Sequence, residues 1–169
     1  MPEKQTLERA RRDKREGKAP STQAGEFIKE EMDHIREGKH GARSAKQAIA
    51  IGLSKARRSG VDLPPPKKGR SSKETRQSAA RDYARGHGAP ARRKSTAKRS
   101  RASAQALKRE GTSAASHRAL AKQTREAAKR RPRSERSAAA RKAAGTKGSA
   151  QRSAAARKAA RTREARASA

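Results

Sequence analysis

The sequence contains no cysteine, no tryptophan and no asparagine, and Phe27 and Tyr83 are its only phenylalanine and tyrosine. Without cysteine there is no disulfide framework and no thiolate metal site, and nothing points to an oxidising compartment. Asparagine is one of the two side chains that pair well with adenine, and stacked aromatic rings are the platform of single-strand and most RNA-binding modules. Their scarcity argues against base-specific readout. Large apolar side chains are also few: hydrophobic residues make up 30% of the chain, but 37 of them are alanine, which leaves 14 larger ones. No apolar run is long enough to span a bilayer. The opening "MPEKQTLERARRDKREGK" lacks the apolar middle of a secretory signal, and Glu3, Glu8, Asp13 and Glu16 argue against an Arg-rich presequence. The expectation is an intracellular protein.

What the chain has in excess is positive charge, and that excess is unevenly placed. The formal net charge is +31; residues 1–66 carry 15 Lys/Arg and 10 Asp/Glu, whereas residues 67–169 carry 32 and 6. The apolar residues are polarised the other way, since 9 of the 14 lie between Phe27 and Leu63 and only Tyr83, Leu107 and Leu120 follow. Burying a large side chain contributes about 1.5–3 kcal/mol, against about 1–2 kcal/mol to order each residue. On that comparison the C-terminal part does not sustain a packed fold. The expected fold class is all-α but largely disordered: a small two-helix hairpin followed by a low-complexity basic tail with transient helices.

The local signals divide the chain into four parts. Residues 1–20 are charged on every side and read as a solvated, partly formed helix. Residues 21–63 form the hairpin. Its first helix, from about Thr22 to Glu37, gathers Ala24, Phe27, Ile28, Met32 and Ile35 on one arc and sets Glu26, Glu30, Asp33 and Glu37 on the other, which reads as a solvated acidic stripe. "GKHG" at 38–41 ends it with two glycines that tolerate positive φ. Ser44 with Gln47 fits a capping box for a second helix, whose face of Ala45, Ala48, Ile49, Gly52, Leu53 and Ala56 lets a neighbour come close. The expected hairpin core is Phe27, Ile28, Met32, Ile35, Ile49 and Leu53. Ile51 lies off that face; because about 40 residues rarely fold alone, it is a candidate surface for a homodimer or a protein partner. A stiff Pro-rich linker, 64–70, leads into the tail, 71–169. There "RSAAARKAAGT" at 136–146 recurs as "RSAAARKAART" at 152–162 with one difference.

The histidines, His34, His40, His87 and His117, show no zinc-ligand spacing, although His34 and His40 flank the loop and could meet across it. No catalytic constellation, cofactor motif or phosphate-cradling glycine loop is present, so no enzyme activity and no metal are expected. The chemistry lies in the tail. Of the 32 basic residues in 67–169, 21 are arginine, suited to bidentate phosphate contact. The candidate nucleic-acid-binding residues are Arg92, Arg93, Lys94, Lys98, Arg99, Arg101, Lys129, Arg130, Arg131, Arg133, Arg136, Arg141, Lys142, Arg152, Arg157, Lys158, Arg161 and Arg163. In the repeat these point around a helix, which suits coating a phosphate backbone better than reading bases.

The segment from Ser21 to Gly69, with "KQAIAIGLSKA" at Lys46–Ala56 after the "REGKHG" loop, resembles a family of small, basic bacterial proteins of unknown function. The resemblance implies a bacterial cytoplasmic protein and carries no activity. The tail separately resembles in composition the Ala/Lys/Arg-rich extensions of bacterial histone-like proteins and linker histones. The leading expectation is a nucleoid-associated protein that binds DNA without sequence specificity, the tail neutralising phosphates and the hairpin mediating association. The alternatives are an adaptor that recognises a partner through the hairpin's acidic stripe, an RNA- or ribosome-associated protein, and a mainly disordered protectant.

Overall fold

A computed structural model describes residues 2–90, 96–146 and 148–167. Among them are eight α-helices and one 3-10 turn: α1 Lys4–Arg15, α2 Pro20–Arg36, α3 Ala45–Arg58, α4 Lys73–Gly86, α5 Ala97–Arg109, the turn Ser113–Ala115, α6 His117–Lys129, α7 Arg133–Thr146 and α8 Ser149–Ala167. The all-α expectation stands. The expectation of a largely disordered chain, with a two-helix hairpin and only transient helices beyond it, is overturned. The chain divides into two compact units, Met1–Gln123 and Thr124–Ala169. No described helix is long and apolar enough to cross a membrane.

Two effects account for the difference. The first is local. Ser72, Thr96 and Ser116 accept hydrogen bonds from the backbone N–H groups of Thr75, Arg99 and Ala119, so α4, α5 and α6 start on capping side chains ahead of runs of strong helix formers. The second is that alanine packs where large residues are absent. Met32, Ile35, Ala42 and Ala48 form a buried cluster with Ala114 and Ala115 of the 3-10 turn, and Ile28, Ile49 and Leu120 pack against it. A second cluster joins Phe27, Ala24 and Ala56 to Ala10 of α1 and to Val61, with Leu7, Leu53 and Leu63 against it. The α2–α3 pair is therefore closed by segments on both sides of it in sequence.

The pair itself is built as its sequence suggests, with local differences. α2 begins at Pro20, two residues before Thr22, because proline's fixed φ suits a first helical turn. It ends at Arg36 and is closed by Gly38, with φ 72°, where Lys39 N–H donates to the His34 carbonyl at 3.0 Å and Gly38 N–H to that of Ile35 at 3.1 Å, a Schellman pattern. Gly41 serves a different need: a Cβ there would run into the Glu110 carbonyl. Ser44 caps α3 by accepting from Gln47 N–H at 3.3 Å, but the Gln47 side chain returns to the N–H of Arg43, at 2.9 Å, one residue earlier than a capping box has it. Gly52 faces α2 so closely that an added Cβ would lie 2.8 Å from the Ile28 Cα. Gly52→Ala gains up to about 1 kcal/mol of helix propensity but must push two backbones apart, at about 1–3 kcal/mol. A net loss is expected, read as a lower urea midpoint; an unchanged or raised midpoint would contradict the close approach.

α1 is not a solvated segment. It docks on α2 and buries Thr6, Ala10 and Asp13. Asp13 is held by Lys18 Nζ at 2.8 Å, and Arg9 Nε meets Glu26 Oε2 at 2.6 Å. Hydrophobic counting misses α1 because its contacts are mostly polar. Nor does the Pro-rich stretch detach α4 from the hairpin. Arg57 Nε donates to the Leu63 carbonyl at 3.0 Å, Tyr83 OH donates to Asp62 Oδ1 at 2.6 Å, and Ser54 Oγ donates to Asp82 Oδ2 at 2.6 Å, so α4 is laid against α3. The Asp62 carboxylate beside it raises the Tyr83 hydroxyl above its usual range. Farther on, Gly41 N–H donates to the Leu107 carbonyl at 2.9 Å, Ala42 N–H to that of Gly111 at 3.2 Å and Arg36 Nε to that of Ala115 at 3.2 Å. The chain from 107 to 120 thus crosses the α2–α3 loop and closes the first cluster.

In the second unit α7 and α8 hold the two copies of the repeat. The single difference between the copies is Gly145 in the first and Arg161 in the second: α7 stops at Thr146, whereas α8 runs on to Ala167.

Candidate nucleic-acid interface and a buried charged cluster

The structure distributes the candidate cations over several helices. Lys98, Arg99 and Arg101 lie on α5; Lys129 ends α6, and Arg130 and Arg131 come directly after it; Arg133, Arg136, Arg141 and Lys142 lie on α7; Arg152, Arg157, Lys158, Arg161 and Arg163 lie on α8. All are exposed. Arg92, Arg93 and Lys94 lie outside the described residues. At about 100° per residue the cations on α7 and α8 point around each axis, with no apolar face between them. Apart from half-buried Ser137, the described side chains of α7 and α8 are exposed. Residues 124–169 carry 15 Lys/Arg against 3 Asp/Glu.

Sequence reasoning missed a basic cleft in the first unit. A cavity of about 650 Å³ is lined by Arg11, Lys55, Arg58 and Arg85 together with Pro2, Leu7, Ser59 and Ala89. These residues come from α1, α3, α4 and flanking loops, and no local pattern connects them. Arg58 is partly neutralised by Asp82, whose Oδ1 lies 3.7 Å from Nε.

The acidic stripe of α2 needs correction. Glu26 is taken by Arg9, and Glu30 is only 4% exposed. Glu30 Oε2 accepts the Glu3 N–H at 3.1 Å and its Oε1 lies 3.2 Å from Lys55 Nζ. Burial pushes the Glu30 carboxyl up, but hydrogen bonds from Thr6, from the Glu3 N–H and from Lys55 outweigh it and hold the group below the usual carboxylate range. Half of the supposed solvent face is therefore the seat of α1. Asp33 and Glu37 do face water, paired with Arg36 at 3.2 Å and Lys39 at 2.9 Å.

Beside Glu30 lies Glu31, 1% exposed, which the pattern of α2 does not single out. Lys55 Nζ is 2.6 Å from Glu31 Oε2, off any hydrogen-bonding direction, so that oxygen has a counter-charge but no hydrogen bond. Its other oxygen, Oε1, faces His40 Nε2 at 3.3 Å. His34 and His40 do meet across the loop, edge to face, with centroids 6.1 Å apart. His34 Nε2 lies 2.8 Å from Glu3 Oε1, a contact that lowers the Glu3 carboxyl.

The expected core residues Phe27, Met32 and Ile35 are buried, and Ile28, Ile49 and Leu53 are partly buried against the two clusters. Ile51 is half-buried and belongs to neither cluster. The size argument for its needing a partner no longer applies, because α1, α4 and the 3-10 turn complete the hairpin. No curated protein and no solved structure matches the chain. Residues 4–69, which span α1, α2, α3 and the loop after them, match the model of a family of unknown function, DUF6496; the similarity stops before α4 and leaves the basic helices outside it.

Proposed function

We propose that this is a nucleoid-associated protein that binds double-helical DNA without regard to sequence. The observation that carries the reading is the exposure of cations all around α7 and α8. A helix of 19 residues such as α8 is about 28 Å long and spans about 17 phosphates of duplex DNA, which carries one charge per about 1.7 Å. Cations that face every direction serve a backbone winding past them and give no single face for base edges. The compositional resemblance of the tail to histone-like extensions supports the same reading, and the basic cleft offers a second phosphate contact on the folded unit. Because the hairpin is completed within the chain, this reading calls for coating of a duplex and not for bridging through Ile51; a chain that sediments as a dimer at high-micromolar concentration would bring bridging back.

The adaptor reading loses its main support, since Glu26 and Glu30 are occupied by α1. The test uses a chain ending at Arg131, which keeps α1 to α6 whole. Its affinity for duplex DNA is expected to fall by about 10³-fold at physiological salt. Retention within about threefold would overturn the assignment to α7 and α8, and competition with structured RNA identifies the preferred polymer.

A further inference from the structure

We propose that Glu31, His34 and His40 form a binding site for a divalent transition-metal cation of the zinc class. One ligand atom from each of the three residues lies within 4.8 Å of the others. All three side chains are sheltered, at 1%, 15% and 19% exposure. The pair at the centre is already spaced for a metal. With zinc–ligand bonds of about 2.0–2.1 Å, two ligands on a tetrahedral ion are about 3.3–3.4 Å apart, and Glu31 Oε1 and His40 Nε2 are 3.3 Å apart.

The ring orientation of His40 fits the same role. Its Nδ1 lies 3.2 Å from the Gly41 carbonyl, which can only accept; with a proton on Nδ1 alone, the Nε2 lone pair is directed at the Glu31 carboxylate. In that tautomer a metal cation takes the place that a proton on Nε2 would otherwise fill, and a backbone carbonyl on the far nitrogen is the usual outer support of a metal-bound imidazole. His34 completes the set by moving inward by about 1–1.5 Å. Glu3, on the other side of His34, supplies either a carboxylate partner for that ring or a fourth ligand. Lys55 does not block the site. It lies at Oε2, the oxygen turned away from His40, and its charge is shared with Glu30. Imidazole donors select zinc-class ions over calcium or magnesium, which prefer oxygen shells.

Such an ion would join the last turn of α2 to the loop on which Leu107 and Gly111 are hung, and so fasten the crossing segment. This inference is independent of the DNA-binding reading, and its test contains no nucleic acid. The full chain is titrated with Co(II), whose visible spectrum reports tetrahedral coordination, and then with Zn(II). Uptake of one Co(II), its displacement by Zn(II), and a thermal midpoint that rises with free Zn(II) are expected. His34→Gln and His40→Gln should each weaken binding about tenfold or more, while His87→Gln and His117→Gln leave it unchanged. The histidine variants carry the test because Glu31 also holds Lys55 in the fold. No Co(II) spectrum at millimolar metal, or binding that survives the H34Q/H40Q double change, would overturn the proposal.

Discussion

Lys55→Met is expected to lower the stability of the first unit by about 3–5 kcal/mol, read as a large fall in the urea midpoint by far-UV circular dichroism. Lys55 stands between two carboxylates whose side chains are 2% and 1% exposed, and is itself only 16% exposed. The change leaves Glu30 and Glu31 buried without their cation, and a buried pair broken from one side costs far more than the pair is worth. Exposed pairs such as Arg12–Glu16 and Arg36–Asp33 are the contrast, since each contributes about 1 kcal/mol or less and their alanine variants should barely shift the midpoint. Domains of this size are stable by about 5–15 kcal/mol, so the loss is a large share of the total. The damage should reach α1, because Glu30 also anchors the Glu3 N–H. Lys55→Arg, which keeps the charge, should lose less. A midpoint unaltered by Lys55→Met would mean that water reaches the two glutamates in solution.

The second large effect is on binding. Raising salt from about 50 to about 200 mM should weaken the full chain's grip on duplex DNA by about 10³–10⁵-fold, because six to ten phosphate contacts each release condensed counterions. The plot of log K against log salt is expected to be straight, with a slope of about −0.9 per phosphate engaged. Removing α7 and α8 should make it shallower by the number of contacts those helices supply. Duplexes of unrelated sequence should give the same line, since phosphate contacts carry no sequence information. A shallow slope, or one strongly favoured sequence, would exclude backbone coating.

The parts of this fold that announce themselves are those driven by apolar periodicity and capping. The arc of Phe27, Met32 and Ile35, the stop at Gly38 and the cap at Ser44 mark out α2 and α3. The parts that do not are held by polar or small residues. α1 packs through Thr6 toward Glu30 and Arg9 toward Glu26, with Asp13 buried against Lys18, and nothing in a hydrophobicity pattern separates such a helix from a solvated one. The 3-10 turn contributes Ala114 and Ala115, indistinguishable in sequence from the many exposed alanines of α7 and α8. The caps at Ser72, Thr96 and Ser116 bring no large side chain with them, so a count of such side chains does not register the helices they start. The candidate interface was legible because charge needs no partner to be seen. The cluster at Glu31 was not, because it depends on the loop bringing His34 and His40 face to edge and on Lys55 arriving from α3.

The crossing segment from Leu107 to Leu120 has a consequence for how the protein comes into being. The match to the family model ends at residue 69, yet the surface formed by Met32, Ile35, Ala42 and Ala48 is closed by Ala114, Ala115 and Leu120. The matched stretch and the folded unit therefore have different borders. During synthesis the hairpin emerges with one flank bare, and it stays so until about fifty further residues, most of them cationic or small, have been made. A polypeptide consisting of the shared stretch alone would keep that flank open and must cover it by other means.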